Sequence, residues 1–204
     1  MTEHSYLNGT NEKVFYIEDK LLKNQSILPS YKLIYLYLKS LANFKTKTTN
    51  MSFNDLTEKM PYTRTTVIRA VESLEKNKAI NLYKPSAGSH IYGFKKLTGT
   101  CQVATFSFIN SKKLSVKEKE FLLLILPYVS NVWTIGEYMS PATIPVIAKL
   151  TGLTYVTTKK RIDSLEAKGL MSKTFEIINL YRDEEFCGYR FDLEAIMLDK
   201  KMST

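Results

Sequence analysis

The sequence predicts an α+β fold, mainly α, in which one small domain occurs twice. Thr63–Ile80 aligns without a gap with Thr154–Met171, and the numbers of aligned residues differ by 91 (154 − 63). The same offset aligns two earlier aromatic and aliphatic pairs, Phe15 with Phe106 and Ile17 with Phe108. A fixed internal period indicates repeated structural units. We therefore expect a flexible start at residues 1–12, a first domain at 13–98 and a second domain at 99–204.

The first copy begins with a short strand and a long helix. Val14–Ile17 is apolar and strand-like. From Ser30 onward, apolar residues recur at helical spacing as far as Leu41, which predicts an amphipathic helix. The polar segment Lys45–Asn50 is expected to be a loop.

Two further helices and a hairpin complete the first copy. Ser52 is a candidate N-cap for a short helix that ends at Pro61. Thr63 is a candidate N-cap for the next helix, which turns Val67, Ala70, Val71 and Leu74 inward. A hairpin is predicted for residues 80–95, with its turn at 85–89. Helices at this spacing closed by a β-hairpin are typical of a winged helix-turn-helix, so two such domains are expected in tandem.

The second copy is expected to repeat this order. The predicted elements are a strand at Gln102–Ile109, a helix at Ser115–Val129, a helix started by Ser140 and Pro141, a helix at Thr154–Lys168, a hairpin at Met171–Phe191 and a short final helix at Leu193–Lys201. Ser140 is interpreted as an N-cap because proline follows it at the first helical position.

Charge favours a polyanionic partner. The chain carries 29 basic and 20 acidic residues, a net charge of +9. Residues 1–98 contribute 15 basic and 8 acidic residues, and residues 99–204 contribute 14 and 12. The excess of positive charge therefore lies mostly in the first copy. A basic domain favours nucleic acid over an anionic membrane.

The sequence also predicts where the chain resides. Its longest apolar run, Phe121–Pro127, is much shorter than a membrane span, and the first residues lack the order of a secretory signal. Cys101 and Cys187 have no metal-binding spacing and are interpreted as inert thiols. We expect a cytoplasmic protein that has no contact with a membrane.

In a helix-turn-helix, the second helix lies in the major groove with one face on the core and the other on base edges. Removing the inward positions leaves an exposed face that consists of Arg64, Thr65, Ile68, Arg69 and Glu72. The candidate DNA contacts are Arg64, Thr65, Thr66, Ile68 and Arg69. Arginine can bond a guanine edge in two places, and threonine or isoleucine can touch a thymine methyl. Thr66 is assigned to phosphate contact or to packing. The hairpin adds Lys84, Ser86, Ser89, Lys95 and Lys96, which suit phosphates or a minor groove.

The second copy leaves two roles open. Its equivalent exposed face carries Tyr155, Val156, Lys159, Lys160 and Asp163, so two lysines could contact phosphates. However, the hairpin tip Arg182–Glu185 is acidic and would repel a DNA backbone. This domain is interpreted either as a second DNA contact or as a protein contact.

Several segments resemble a known winged-helix family. These are Tyr31–Leu38, Leu56–Met60, Thr63–Val71 and the stretch from Leu74 to Ile80. They resemble the helix-turn-helix family found at the start of plasmid and phage replication initiators and related regulators. The resemblance covers roughly residues 13–96, with Pro61 in place of the usual turn glycine. It implies proteins that bind repeated origin sequences and repress their own promoters.

Catalysis is not expected. The two histidines, His4 and His90, cannot form the paired-histidine metal site of rolling-circle nickases. No phosphate-binding Gly-x-x-x-x-Gly-Lys-Ser/Thr loop and no zinc spacing occurs in the sequence. The expected protein therefore has no cofactor, no metal and no small-molecule substrate.

The sequence thus predicts a sequence-specific double-stranded DNA-binding protein that controls transcription or replication initiation on a plasmid or phage. The alternative is a protein-interaction module that serves as an adaptor or inhibitor. A homodimer stays open, since palindromic sites require two identical reading helices, whereas two helices in one chain could serve direct repeats.

Overall fold

The computed structural model describes residues 13–86, 88–128, 130–132, 137–140, 143–179, 184–192 and 196. Three predictions lie mostly or wholly outside them: the flexible start at 1–12, the acidic hairpin tip at Arg182–Glu185 and the short final helix. None of the helices in the described ranges is long and apolar enough to cross a membrane.

The first half has the element order of a winged helix-turn-helix. Its elements are β1 (Val14–Glu18), α1 (Asp19–Lys23), α2 (Pro29–Ser40), β2 (Thr48–Asn50), α3 (Phe53–Lys59), α4 (Arg64–Lys76), β3 (Ile80–Ser86) and β4 (Ser89–Phe94). The three strands β2, β3 and β4 form one antiparallel sheet with β4 in the centre. Helix α4 contacts α2, α3 and β3, so the helices and the hairpin share one core.

Local capping sets the starts of α3 and α4. The backbone N–H of Ser52 donates to Asp55 Oδ2 at 3.0 Å, and the Asp55 N–H donates to Ser52 Oγ at 3.1 Å. The backbone N–H of Thr66 donates to Thr63 Oγ1 at 3.3 Å. Side-chain caps of this kind satisfy N–H groups that have no partner inside the helix. Both N-caps predicted from the sequence are therefore confirmed.

The inward face of α4 was also predicted correctly. Val67, Ala70, Val71 and Leu74 are almost wholly buried. Their spacing of three and four residues places them on one side of the helix. This side faces the core, so the opposite side of α4 is fixed as the outer surface.

The prediction of a loop at Lys45–Asn50 is partly wrong. Thr48, Thr49 and Asn50 form strand β2, which pairs with β4 opposite Gly93, Tyr92 and Ile91. Threonine is common in strands, but three residues are too short a stretch to show the alternation that predicts one. The strand forms because the edge of β4 supplies backbone partners that lie far away in sequence.

The second half follows a similar order with one added strand. Its elements are β5 (Cys101–Thr105), α5 (Phe106–Asn110), α6 (Val116–Ile125), a 3-10 turn (Leu126–Tyr128), β6 (Ser130–Val132), β7 (Glu137–Ser140), α7 (Ile144–Thr151), α8 (Tyr155–Ala167), β8 (Met171–Asn179) and β9 (Glu184–Phe191). The sheet order is β6-β7-β9-β8. Strands β7, β9 and β8 thus pair in the same order as β2, β4 and β3.

The prediction of one strand over Gln102–Ile109 is wrong. The strand ends at Thr105, whose side chain accepts a hydrogen bond from the Phe108 N–H and caps α5. Phe108 and Ile109 are buried from this helix. An apolar run of this length does not distinguish a strand from a buried helix by its pattern. The alignment of Phe15 and Ile17 with Phe106 and Phe108 is therefore wrong too, because it matches a strand with a helix.

The predicted helix start at Ser140 and Pro141 is also wrong. Ser140 is the last residue of β7 and pairs with Tyr189 of β9. Helix α7 begins at Ile144 after Thr143, and Pro145 lies in its first turn. A serine followed by proline matches a helix start, but it also suits the last residue of a strand.

The two halves are joined through their first strands. β1 and β5 pair antiparallel, and residues on either side of the predicted boundary hold the strands together. The Asp19 N–H donates to the Thr100 carbonyl at 3.0 Å, and Thr98 Oγ1 donates to Glu18 at 3.0 Å. Helices α2 and α6 also contact each other.

Candidate nucleic-acid interface

The outer face of α4 carries the residues predicted to read DNA. Arg64, Thr65 and Arg69 are exposed, whereas Thr66 and Ile68 are half-buried. All five lie in the first two turns of the helix. The structure therefore brings them together on one surface, which we call the reading face of α4.

Charge on this face is not neutralised within the protein. In the described part of the chain, neither Arg64 nor Arg69 forms an ion pair or a side-chain hydrogen bond. The first-turn N–H groups and the helix dipole add positive potential at the same end. The reading face of α4 is thus suited to an anionic partner.

Thr66 takes part in the N-terminal cap of α4. Its hydroxyl lies 3.0 Å from Thr63 Oγ1, and its backbone N–H is the group that the cap satisfies. A hydroxyl held in the cap has limited freedom to contact a phosphate. Thr66 therefore contributes first to the start of α4.

The hairpin places some of the predicted wing residues beside one another. Lys84 is exposed on β3, and Ser86 pairs with Ser89 at the turn. The side chain of Ser86 lies outside the described set. Ser89 Oγ donates to Asn50 Oδ1 at 2.8 Å, so Ser89 anchors the hairpin tip to β2.

Lys95 and Lys96 do not lie at the hairpin tip. They follow Phe94, which pairs with Ile80 at the start of β3, near the end of α4. The Phe94 N–H donates to the Lys47 carbonyl at 2.9 Å, so these lysines adjoin the loop that carries Lys45 and Lys47. Six residues of strand separate Ser89 from Lys95, a distance of about 20 Å. The hairpin tip and these two lysines therefore lie at opposite ends of β4.

Sequence reasoning missed the role of His90. Its ring stacks on Phe53, the first residue of α3, with the ring centroids 4.1 Å apart. Burial, and to a lesser extent the charge of Lys84, lowers the pKa of His90. The imidazole is therefore neutral at pH 7 and fixes the hairpin against α3. The sequence around Phe53, which follows the cap Ser52, does not predict that its ring stacks on His90.

Helix α8 presents a different surface at the same positions. Tyr155 and Val156 are 51% and 74% exposed, in the places that Arg64 and Thr65 occupy in α4. Lys159 and Lys160 are also exposed. Lys159 Nζ lies 2.7 Å from Asp163 Oδ2, and this hydrogen bond raises the pKa of Lys159. Only Lys160 of these two lysines is unpaired in the described part of the chain.

Residues 27–80 match the model of a family described as a helix-turn-helix domain. The match runs from the loop before α2 to the first residue of β3, and so includes the whole reading face of α4. It supports DNA binding as the general activity of the first half. No curated protein matches the chain.

The described residues contain no group of three or more histidine, cysteine, aspartate or glutamate side chains that could hold a metal ion. Cys101 is half-buried, and burial raises the pKa of its thiol. A thiol with a raised pKa is a weak nucleophile at neutral pH.

Proposed function

We propose that this protein binds double-stranded DNA in a sequence-specific manner and controls transcription or replication initiation, on a plasmid or phage. In this proposal the two halves are tandem winged helix-turn-helix domains. The reading face of α4 enters the major groove, and Lys84 at the hairpin contacts the adjacent backbone. Lys95 and Lys96 are left out because of their distance from the hairpin tip.

One observation carries the proposal. Arg64 and Arg69 are exposed and unpaired in the described chain, on a helix whose opposite side is held in the core. An arginine pair held on a rigid helix can donate to two guanine edges without first breaking an internal ion pair. Each such bidentate contact contributes roughly 1–3 kcal/mol of discrimination between bases.

The experiment is a titration of a labelled random duplex by the full chain at two salt concentrations, followed by footprinting on the DNA that flanks its own gene. We expect affinity that falls steeply with salt, by about 0.9 in log–log slope for each neutralised phosphate. The footprint is expected to fall in a promoter or an origin. A salt-independent or absent affinity contradicts the proposal.

A second candidate function rests on α8. Tyr155 and Val156 expose a small apolar surface at the start of a helix, which suits a protein partner as well as thymine methyl groups. If the chain is an adaptor, substitution of Val156 leaves DNA affinity unchanged and the random duplex shows no salt slope. The unpaired arginines of α4 favour the first function.

A further inference from the structure

We infer that a second surface of the first half binds a single strand of nucleic acid, with one base stacked on an exposed phenylalanine and the phosphates held by four lysines. The residues of this surface, which we call the loop patch, are Phe44, Lys45, Lys47, Lys95 and Lys96. The inference goes beyond the proposed function, because it concerns different residues and a different form of nucleic acid.

Backbone pairing brings the two parts of the loop patch together. The Phe94 N–H donates to the Lys47 carbonyl at 2.9 Å, at the end of the ladder between β2 and β4. Lys95 and Lys96 follow Phe94 directly and so lie beside the loop that leads into β2. All five side chains of the loop patch are exposed.

Asn43 holds this loop in one shape. Its Oδ1 accepts hydrogen bonds from the backbone N–H groups of Lys45 at 2.8 Å and Thr46 at 3.2 Å. Its backbone pairs with Lys47 and Thr48, again at 2.8 Å each. Lys47 has a φ of 54°, which lysine rarely adopts outside a loop that fixes it. A preformed loop loses little conformational entropy when a ligand binds.

Phe44 offers a flat apolar surface to a ligand. Its side chain is 67% exposed. Lys47 Nζ lies 3.7 Å from the centroid of the Phe44 ring, so an ammonium covers one face of the ring and the exposure leaves the other face open. The ring has no polar atom with which to contact a phosphate. A nucleobase can stack on such a ring whatever the sequence, because every base has an aromatic face.

The lysines of the loop patch carry charge that the protein does not neutralise. Within the described ranges, none of the four forms an ion pair or a side-chain hydrogen bond. Four cations around one exposed ring suit a partner in which flat rings alternate with negative charges. Bases and phosphates alternate in this way along a strand of nucleic acid.

A single strand satisfies the loop patch better than the other polyanions do. In a duplex the bases stack on one another, so their faces are not accessible to Phe44. An acidic peptide supplies negative charge but only an occasional aromatic ring. Unpaired bases and phosphates supply both kinds of contact at every nucleotide.

The loop patch lies away from the surface proposed to read duplex DNA. Lys95 follows Phe94, the partner of Ile80, which comes just after the end of α4. Arg64 and Lys76 are twelve residues apart along α4 (76 − 64), a distance of about 18 Å. The hairpin tip is about 20 Å from Lys95 in the other direction. A duplex on the reading face of α4 therefore leaves the loop patch free.

The test is a titration of a labelled oligothymidylate of about 15 nucleotides, near the usual size of a single-strand site. The full chain is first saturated with a duplex that it selects from a random library, so that the reading face of α4 is occupied. Fluorescence anisotropy should then show binding that weakens with salt, by about 0.7 in log–log slope for each neutralised phosphate. A labelled oligouridylate of the same length shows whether RNA or DNA is the preferred strand.

Phe44→Leu removes the aromatic ring and keeps an apolar side chain. We expect it to bind oligothymidylate about 5- to 100-fold more weakly, the usual contribution of one stacked base, and to keep its affinity for the duplex. Phe44→Trp should bind as well as the wild type, because indole also stacks. Phe106→Leu is the matched control, since Phe106 is an exposed aromatic residue of α5 outside the loop patch.

The lysines are tested by Lys95→Gln, which should reduce the salt slope for oligothymidylate by about 0.7 and leave the slope for the duplex unchanged. Thermal melting of each variant checks the fold. A slope for oligothymidylate that does not change would remove Lys95 from the site and contradict the inference.

Four other results would overturn the inference and leave the proposed function in place. They are no affinity for either strand, equal affinity of Phe44→Leu and the wild type, displacement of oligothymidylate by the selected duplex, and equal displacement by an oligoglutamate of the same charge, which would indicate an acidic protein partner. If no duplex is selected, the chain alone is titrated. Binding of oligothymidylate that depends on Phe44 would then support the inference while the proposed function fails.

Discussion

The hydroxyl of Tyr62 donates a 2.7 Å hydrogen bond to Oε1 of Glu120 and so ties the two halves together beside the first reading helix. Tyr62 lies in the turn between α3 and α4, one residue before the cap Thr63, and Glu120 lies in α6. The other oxygen of Glu120 accepts from Lys117 at 2.8 Å. Burial and the hydrogen bond to Glu120 raise the pKa of Tyr62, so its phenol remains a donor at neutral and mildly alkaline pH.

We expect Tyr62→Phe to lower the free energy of unfolding by about 1 kcal/mol, because a partly buried carboxylate loses one donor. Urea unfolding at pH 7 measures the change. Tyr83→Phe is the matched control, since the Tyr83 side chain is exposed and its hydroxyl has no partner in the described chain. Equal stability of the two variants would mean that the contact with Glu120 contributes nothing.

Arg69→Ala tests base reading by α4. If Arg69 bonds a guanine edge, the variant loses roughly 1–3 kcal/mol of binding to a selected site and much less of its binding to a random duplex. Fluorescence titration of both duplexes gives the ratio. Lys76→Ala, in the last turn of the same helix, should leave the ratio unchanged. Equal losses on the two duplexes after Arg69→Ala would point to a phosphate contact.

Lys84 and Lys96 form a pair that tests the geometry of the hairpin. Lys84→Ala should weaken binding to every duplex and reduce the log–log salt slope by about 0.9, as expected for one lost phosphate contact. Lys96→Ala should do neither, because Lys96 follows the end of β4 away from the tip. If both variants reduce the salt slope, both ends of the hairpin contact DNA.

Glu118 makes the stability of the fold depend on pH in the acid range. Its side chain accepts hydrogen bonds from Ser164 and Lys168, both at 2.6 Å, and from the Ser115 N–H. Burial raises the pKa of Glu118, but the hydrogen bonds from Lys168, Ser164 and Ser115 together bring it below its usual value. A carboxyl whose pKa is lowered in the folded state stabilises the fold at pH values above its pKa in the unfolded chain, which is about 4.3. This stabilisation is lost as the pH falls through the pKa of the folded state.

We expect Glu118→Gln to be less stable than the wild type by about 2 kcal/mol at pH 7, with the difference shrinking below about pH 4. Thermal melting across this pH range measures the trend. Asp163→Asn removes the exposed pair with Lys159 and should change stability little at any pH. A Glu118→Gln deficit that persists unchanged into acid would show that the carboxylate charge has no part in it.

Local signals in the sequence identified helices α3 and α4 and the exposed surface of α4. The caps Ser52 and Thr63 formed as predicted because a side chain three residues from its backbone partner needs no distant contact. The inward and outward sides of α4 followed from helical spacing for the same reason. The exposed face of α8 was identified by the same argument.

Tertiary structure decided what depends on distant partners. The sequence by itself determined helices α4 and α8, the cap Thr63 and the residues that the two helices expose, since each is fixed within one or two turns of chain. Only the tertiary structure decided that Thr48–Asn50 is a strand, that Phe106 begins a helix, that Lys96 lies away from the hairpin tip, and that β1 pairs with β5 across the two halves. Strand pairing draws its hydrogen bonds from residues far apart in sequence, and no local pattern encodes which edge will supply them.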